Sequence, residues 1–317
     1  MVEVIHQILD AVREHGATVE QGPYDIDGIR EDDGKVHLIW GTVRPPDVYA
    51  CLAGFRNVFF VENGWLTQSS GCYIDPHGPN ALSSIRDAVD IDSPCDPEMV
   101  AKRVKDLHMW EKATVNPRGE DHIFVPLQVE KDTQLLYFSR MEDTPWDRRI
   151  PKLVNDVCEA FPTRRIVFKV HPRRQQDQVK MLRAHPAVKR HGSCGIIQKA
   201  SGSSYQWLAR ASAVVGINST VLIESLTFFN PTYAIGEGLF SGNGVMLEDG
   251  PLEGILDHEV DHDLVLRFLT HLFRRQIPYR LKPADASRYD VLWDMICQAR
   301  NPSSQEQVIG TEAKTES

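Results

Sequence analysis

Cysteine is scarce in this sequence and never closely paired: six residues, Cys51, Cys72, Cys95, Cys158, Cys194 and Cys297, with no C-x-x-C among them. The spacing excludes a zinc ribbon and the length excludes a small disulfide scaffold, so the thiols read as those of a reduced, cytosolic protein. An excess of basic residues is also missing. The formal net charge of −9 argues against broad nucleic-acid binding, which needs a positive footprint. No run approaches the roughly 18 consecutive apolar residues of a membrane span. The opening segment MVEVIHQILDAVREHG carries acids through an amphipathic pattern, unlike a signal or transit peptide. G-x-G-x-x-G, the P-loop, H-E-x-x-H and G-x-S-x-G are all absent, which removes the enzyme classes they mark.

What is present is an ordinary globular composition. Hydrophobic residues make up 42% and charged residues 25% of 317 positions, enough for a real core. That length suggests two domains of roughly 150 residues each. Apolar periodicity predicts a helix over 3–15, and residues 20–34 are polar and turn-rich. Short apolar runs at Val36–Trp40, Asn57–Val61 and Ile123–Leu127 read as buried parallel strands, with a helix near 46–54. Ser69–Pro97 is rich in Gly, Pro, Ser and Asp and reads as loop, followed by a helical pattern over 97–112. From Trp146 onward the pattern repeats. A helix over 150–161 leads to the strand Arg165–Val170, a helix over 174–185, the segment Val188–Arg190 and a helix over 203–211. The strand Ala213–Ile217, a helix opened by Asn218-Ser219-Thr220, the strand Thr232–Ile235 and a helix over 260–275 complete it. This alternation predicts parallel α/β units. The boundaries follow as 1–145, 146–300 and a polar, disordered tail over 301–317.

Four segments carry the residue types that chemistry needs. In Phe168–Arg174 (FKVHPRR) a buried strand delivers Lys169, His171 and Pro172 to its carboxyl end, where open α/β sheets bind ligands. Lys169, His171, Arg173 and Arg174 offer donors and positive charge to a phosphate, although a basic surface turn would look the same. His185-Pro186, at a helix end, shows how common the dipeptide is. In Ala213–Leu226 a second strand runs into Asn218, Ser219 and Thr220, which combine N-cap chemistry with hydroxyl donors for an anion. Glu224 follows, placed to accept from ribose hydroxyls.

In Phe60–Ile85, Glu62 stands at a strand end before Asn63 and Gly64, and the glycine permits close backbone approach. A carboxylate there suits acid/base work. Asp75, His77 and Asn80 could meet sugar hydroxyls or simply shape turns. In Ile123–Ser139, Gln128, Glu130, Lys131 and Asp132 emerge at another strand end, with a carboxylate placed to attack an anomeric carbon. Asp261-His262-Asp263 has the D-x-D pattern of a metal site, but its place at a helix start makes N-capping the better account. Asp25/Asp27 and Asp90/Asp92 share the pattern.

Taken together and in this order, Glu62-Asn63-Gly64, Phe124–Gln134 (FVPLQVEKDTQ), Lys169–Pro172 and Asn218–Glu224 resemble the bacterial β-Kdo transferases of capsule and O-antigen assembly. Kdo is 3-deoxy-D-manno-oct-2-ulosonic acid. The chain is more distantly similar to bacterial sialyltransferases, which also use CMP-sugars. The resemblance spans about residues 36–240. It implies a GT-B fold, in which two Rossmann-like domains with parallel sheets face each other across a cleft. The N-terminal half would bind the acceptor and the C-terminal half the nucleotide sugar, with no obligatory metal or other cofactor.

Carried over from the sialyltransferases, His171 and Pro172 would contact CMP, and Ser219 and Thr220 would hold the phosphate. The retaining chemistry of the Kdo transferases would make Asp132 the nucleophile and Glu62 the general acid/base. Gln128, Lys131, Asn63 and Gly64 would line the substrate, and Lys131 or Arg140 would meet the sugar carboxylate. Many relatives carry Asp-Gly where this chain has Asn63-Gly64, so a role for that Asp has no counterpart here. The partners implied are a CMP-sugar donor and a saccharide or glycolipid acceptor, at the cytoplasmic face of the plasma membrane beside a polysaccharide assembly complex. The open alternatives are CMP-sialic acid or a UDP-sugar as donor, or a non-catalytic module of such a complex.

Overall fold

The computed structural model describes residues 29–30, 35–40, 46–66, 71–87, 95–106, 121–197 and 204–278. The expected helix over 3–15 and the tail over 301–317 lie outside these residues. The rest forms two sheets with helices packed on them.

The C-terminal sheet is parallel throughout, with five strands: β4 (His122–Pro126), β5 (Ile166–Lys169), β6 (Cys194–Ile197), β7 (Ala211–Gly216) and β8 (Thr232–Ala234). Their order is β6-β5-β4-β7-β8. Interior strands covered on both faces need continuous apolar sequence, and β4 (HIFVP) is buried at every position. The chain builds outward from β4 through β5 to β6, then returns to lay β7 on the other side of β4. The strand order therefore reverses between β4 and β7, and ligands of open α/β sheets bind at the carboxyl end of such a reversal.

The N-terminal sheet has the order β1-β2-β3-β9. β1 (His37–Trp40) and β2 (Val58–Asn63) are parallel, joined through helix α1 (Pro46–Ala53). β3 (Gly71–Asp75) runs antiparallel to β2, and β9 (Ile277–Pro278) antiparallel to β3. β9 arrives from the far end of the chain, at the close of α10 (His262–Arg275). Just before it, the buried Gln276 side chain accepts from Trp65 N at 2.8 Å and Leu66 N at 3.2 Å. It also donates to Leu66 O at 2.9 Å. Two further bonds tie the same helix to the N-terminal unit: Asp96 N donates to Thr270 Oγ1 at 3.1 Å, and His271 Nε2 meets Ile85 O at 2.9 Å. One apolar cluster runs through this junction, from Trp65 and Tyr73 to Val214, Leu222 and Phe268.

Two expectations are corrected, and one unassigned segment is placed. The strand near Ile123–Leu127, placed on the N-terminal side of a boundary at 145, pairs with β5 and β7, so the C-terminal sheet begins at His122. An apolar run shows that a strand is buried without showing which sheet receives it. The stretch Ser69–Pro97, read as loop, contains β3, all five residues of which are buried. Val188–Arg190 lies inside helix α7 (Pro186–His191), and the strand follows four residues later as β6.

Candidate functional site

β2, β4, β5 and β7 each end in residues singled out from the sequence, and the fold brings these ends together. Asp132 follows β4 and caps helix α4 (Thr133–Tyr137), its carboxylate accepting from Gln134 N at 2.9 Å. It is exposed, so one oxygen can be engaged by the cap while the carboxylate still faces solvent. Glu62, at the end of β2, is half-buried. Its Oε1 accepts from Asn63 N at 2.7 Å and Asn63 Nδ2 at 2.9 Å. Burial holds the Glu62 carboxyl above its ordinary range; the two Asn63 donors oppose this, and the negative charge of Asp132 reinforces it. Glu62 and Asp132 belong to different sheets, yet the charge of Asp132 reaches Glu62.

His171 follows β5 and caps the short turn Pro172–Arg174, with Nδ1 accepting from Arg173 N at 3.2 Å. Burial lowers the His171 pKa. Arg173 lowers it further, Asp132 opposes the shift, and smaller effects come from Lys169 and Glu130. The imidazole therefore stays neutral near pH 7, able to donate or accept. Lys169, the last residue of β5, is half-buried and donates from Nζ to Ser204 Oγ at 2.5 Å. Burial lowers its pKa as well, opposed by the carboxylate of Glu224. Glu224 is buried on helix α9 (Val221–Leu226), where Tyr205 Oη reaches it at 3.4 Å. A continuous line of electrostatically linked titratable groups thus runs Glu62, Asp132, His171, Lys169, Glu224.

Other predicted residues have structural work. Gln128 and Asn218 are both buried and bind each other, Gln128 Nε2 to Asn218 Oδ1 at 2.9 Å and Asn218 N to Gln128 Oε1 at 3.1 Å. Asn218 Nδ2 also donates to Gln134 O at 2.9 Å and Phe138 O at 3.0 Å, closing the end of α4. These amides brace the loops after β4 and β7, leaving little capacity for a phosphate or sugar. Ser219 Oγ accepts from Val221 N at 3.3 Å, and Thr220 Oγ1 bonds to none of the described residues. Pro172 is exposed at the first position of its turn.

Gly64 is explained by packing. A Cβ there would stand 2.6 Å from Gln276 Cδ, so glycine makes room for the Gln276 side chain. Lys131 is exposed, its ammonium 4.9 Å from the centre of the Trp146 ring. Arg140 is ringed by carboxylates, Glu237 at 3.5 Å, Glu248 at 3.6 Å and Asp249 at 4.0 Å. Asp75 is fully buried and accepts from His77 N, Gly78 N, Ser83 Oγ, Ser84 Oγ and Ile85 N, which makes it the organiser of its loop. Asp261 caps α10 by accepting from Leu264 N at 3.0 Å. Sequence reasoning missed Ser204 and Tyr205, the partners of Lys169 and Glu224. They sit in the polar run Ser201–Tyr205, which offered no strand end to anchor them.

Comparison with known proteins places the chain in a family and a fold. Residues 95–279 match the family model described as "Capsule polysaccharide biosynthesis protein". Protein FixF of Sinorhizobium fredii is 27% identical over 252 residues, which cover 76% of this chain and 55% of FixF. The chain therefore spans about half the length of that relative. Among solved structures, the fold is similar to the β-Kdo 2,7 transferase of KpsC from Thermosulfurimonas dismutans. Identity is 19%, coverage is 82% of this chain and 85% of that one, and the TM-score is 0.52. For the β-Kdo 2,4 transferase of the same KpsC the figures are 16%, 73%, 78% and 0.51. These likenesses show the GT-B fold. No helix among the described residues is long and apolar enough to cross a membrane.

Proposed function

Because the chain belongs to the capsule polysaccharide biosynthesis family, we propose that it is a glycosyltransferase moving Kdo from CMP-β-Kdo to a saccharide or glycolipid acceptor with retention. One observation carries this reading: two carboxylates from different sheets, Glu62 and Asp132, interact beside a half-buried lysine and a neutral histidine at the switch point of a parallel sheet.

In this reading Lys169, with Ser219 and Thr220, neutralises the donor phosphate. CMP can then depart from the anomeric carbon without being protonated. Asp132 attacks that carbon, forming the glycosyl–enzyme bond as the C–O bond to phosphate breaks. The acceptor hydroxyl then displaces Asp132, giving its proton to Glu62, so two inversions leave the configuration retained. The environments suit these roles, since burial makes the ionised Glu62 a stronger proton acceptor while Asp132 faces solvent as a cap. His171 lies within the electrostatic reach of Asp132 and offers a donor to the nucleotide. Of the two cations considered for the sugar's own carboxylate, Lys131 is the better placed, because Arg140 is already surrounded by acids. The work would be done at the cytoplasmic face of the membrane, beside a polysaccharide assembly complex.

The test is transfer from CMP-Kdo to an oligosaccharide primer, followed by mass spectrometry, with Asp132→Asn and Glu62→Gln alongside the unaltered protein. Transfer abolished by both changes supports the reading. Thermal-shift titrations with CMP, UDP and GDP test the donor separately, and stabilisation by UDP but not CMP would reject it.

A further inference from the structure

The segment from Arg173 to Arg190 holds six lysines and arginines against the single acid Asp177, in a chain whose overall charge is −9. Arg174 is taken up by Glu130 and Asp177, each at 3.1 Å. Arg173, Lys180, Arg183, Lys189 and Arg190 are exposed, and none of them pairs with a carboxylate of the described residues. Lys180 and Arg183 lie three apart on helix α6 (Gln175–Ala184), one turn from each other on the same face. Lys189 and Arg190 stand in the last turn of α7, which follows α6 directly. At ~1.5 Å per residue α6 is about 15 Å long, and α7 adds about 9 Å beyond the extended residue His185. The basic surface begins at Arg173, two residues beyond His171 in the candidate site.

A repulsive net charge makes such a local excess meaningful, since an acidic ligand would meet an unfavourable field over most of the molecule. Two features favour a glycan over a lipid surface. Helices that lie on membranes combine basic residues with large apolar side chains that insert. The large hydrophobics exposed among the described residues, Tyr137 and Trp146, both lie outside this segment. In their place the α6 face carries the amides of Gln175 and Gln176, which suit hydroxyl-rich ligands.

We propose that the exposed basic residues of α6 and α7 bind an acidic polysaccharide, which lies along this surface next to the candidate site. Naming that polysaccharide as the growing acceptor chain rests on the function proposed above; the binding itself does not.

The experiment measures anisotropy of fluorescein-labelled α2,8-linked polysialic acid, an available acidic glycan, with dextran of similar length as the neutral control. Binding of the acidic but not the neutral chain is expected, weakening steeply as salt is added. The triple variant Lys180→Gln/Arg183→Gln/Lys189→Gln should bind at least about tenfold more weakly with a flatter salt dependence, while its melting temperature is unchanged. Equal binding of dextran, or glycan binding untouched by the triple change, overturns the proposal. So does preferential binding to phosphatidylglycerol vesicles that the triple change abolishes. Absence of transfer from CMP-Kdo, with glycan binding intact, would instead count against the donor assignment alone.

Discussion

Gln128 and Asn218 join the ends of neighbouring strands amide to amide, at 2.9 and 3.1 Å. The loops after β4 and β7 are thereby fixed before any ligand arrives, and the same Asn218 amide closes α4 through Gln134 O and Phe138 O. Asn218→Ala strips partners from buried groups on three sides. Each buried group left unpaired costs about 1–3 kcal/mol, so the urea midpoint should fall clearly at constant m-value. An unchanged midpoint together with lost CMP binding would make Asn218 a ligand instead of a brace.

Gly64 and Gln276 form a second testable pair. A Cβ at position 64 would sit 2.6 Å from two Gln276 atoms, so Gly64→Ala must displace the amide that holds Trp65 and Leu66. Overpacking of this kind costs typically about 1–3 kcal/mol. Gln276→Ala alone removes those bonds, and the double variant should be less destabilised than the two single effects added. Strict additivity in chemical denaturation would show that the two positions act independently.

Burial and Asp132 raise the Glu62 pKa above its value in the unfolded chain. Between those two values the folded protein holds the extra proton, so stability falls as pH rises through the window and stays reduced above it. Glu62→Gln keeps an acceptor for Asn63 and removes the charge. Its melting temperature should exceed that of the unaltered protein at neutral pH, with the gain shrinking toward zero below the ordinary glutamate range. A gain that persists undiminished at low pH would assign the effect to packing.

One charge, two shifts: Asp132 raises the pKa of Glu62 and also holds that of His171 up against burial. Asp132→Asn should therefore lower both pKa values together. NMR titration of the His171 ring protons and of the Glu62 side-chain carboxyl carbon would follow them in one experiment. Movement of only one group would mean that Asp132 does not lie between the two.

The parts legible in the sequence were those with a one-dimensional signature. The stretches Ile123–Pro126 of β4, Ile166–Phe168 of β5 and Ala213–Gly216 of β7 are apolar because both faces are covered, and Lys169, His171 and Asp132 were found at or just past their ends. β3 escaped because GCYID, with its glycine and aspartate, reads like the loop around it; it is flanked by β2 and by β9, and β9 lies about 200 residues further along the chain. The placement of β4 depended on pairing partners that its composition does not name. Gln128 and Asn218 had the right chemistry for a ligand, but their residue types specify donors and acceptors without saying who takes them.

β9 and Gln276 carry a consequence for how the protein is made. The bond from Gln276 to Trp65 spans 211 positions. At ribosomal rates of about 5–20 residues per second, the N-terminal sheet waits roughly 10–40 s for its last strand to be synthesised. Until then the β3 edge stands open and the apolar surface around Trp65 lacks its cover. Expression in cells should accordingly be more sensitive to chaperone supply and growth temperature than that of proteins whose sheets close on consecutive strands.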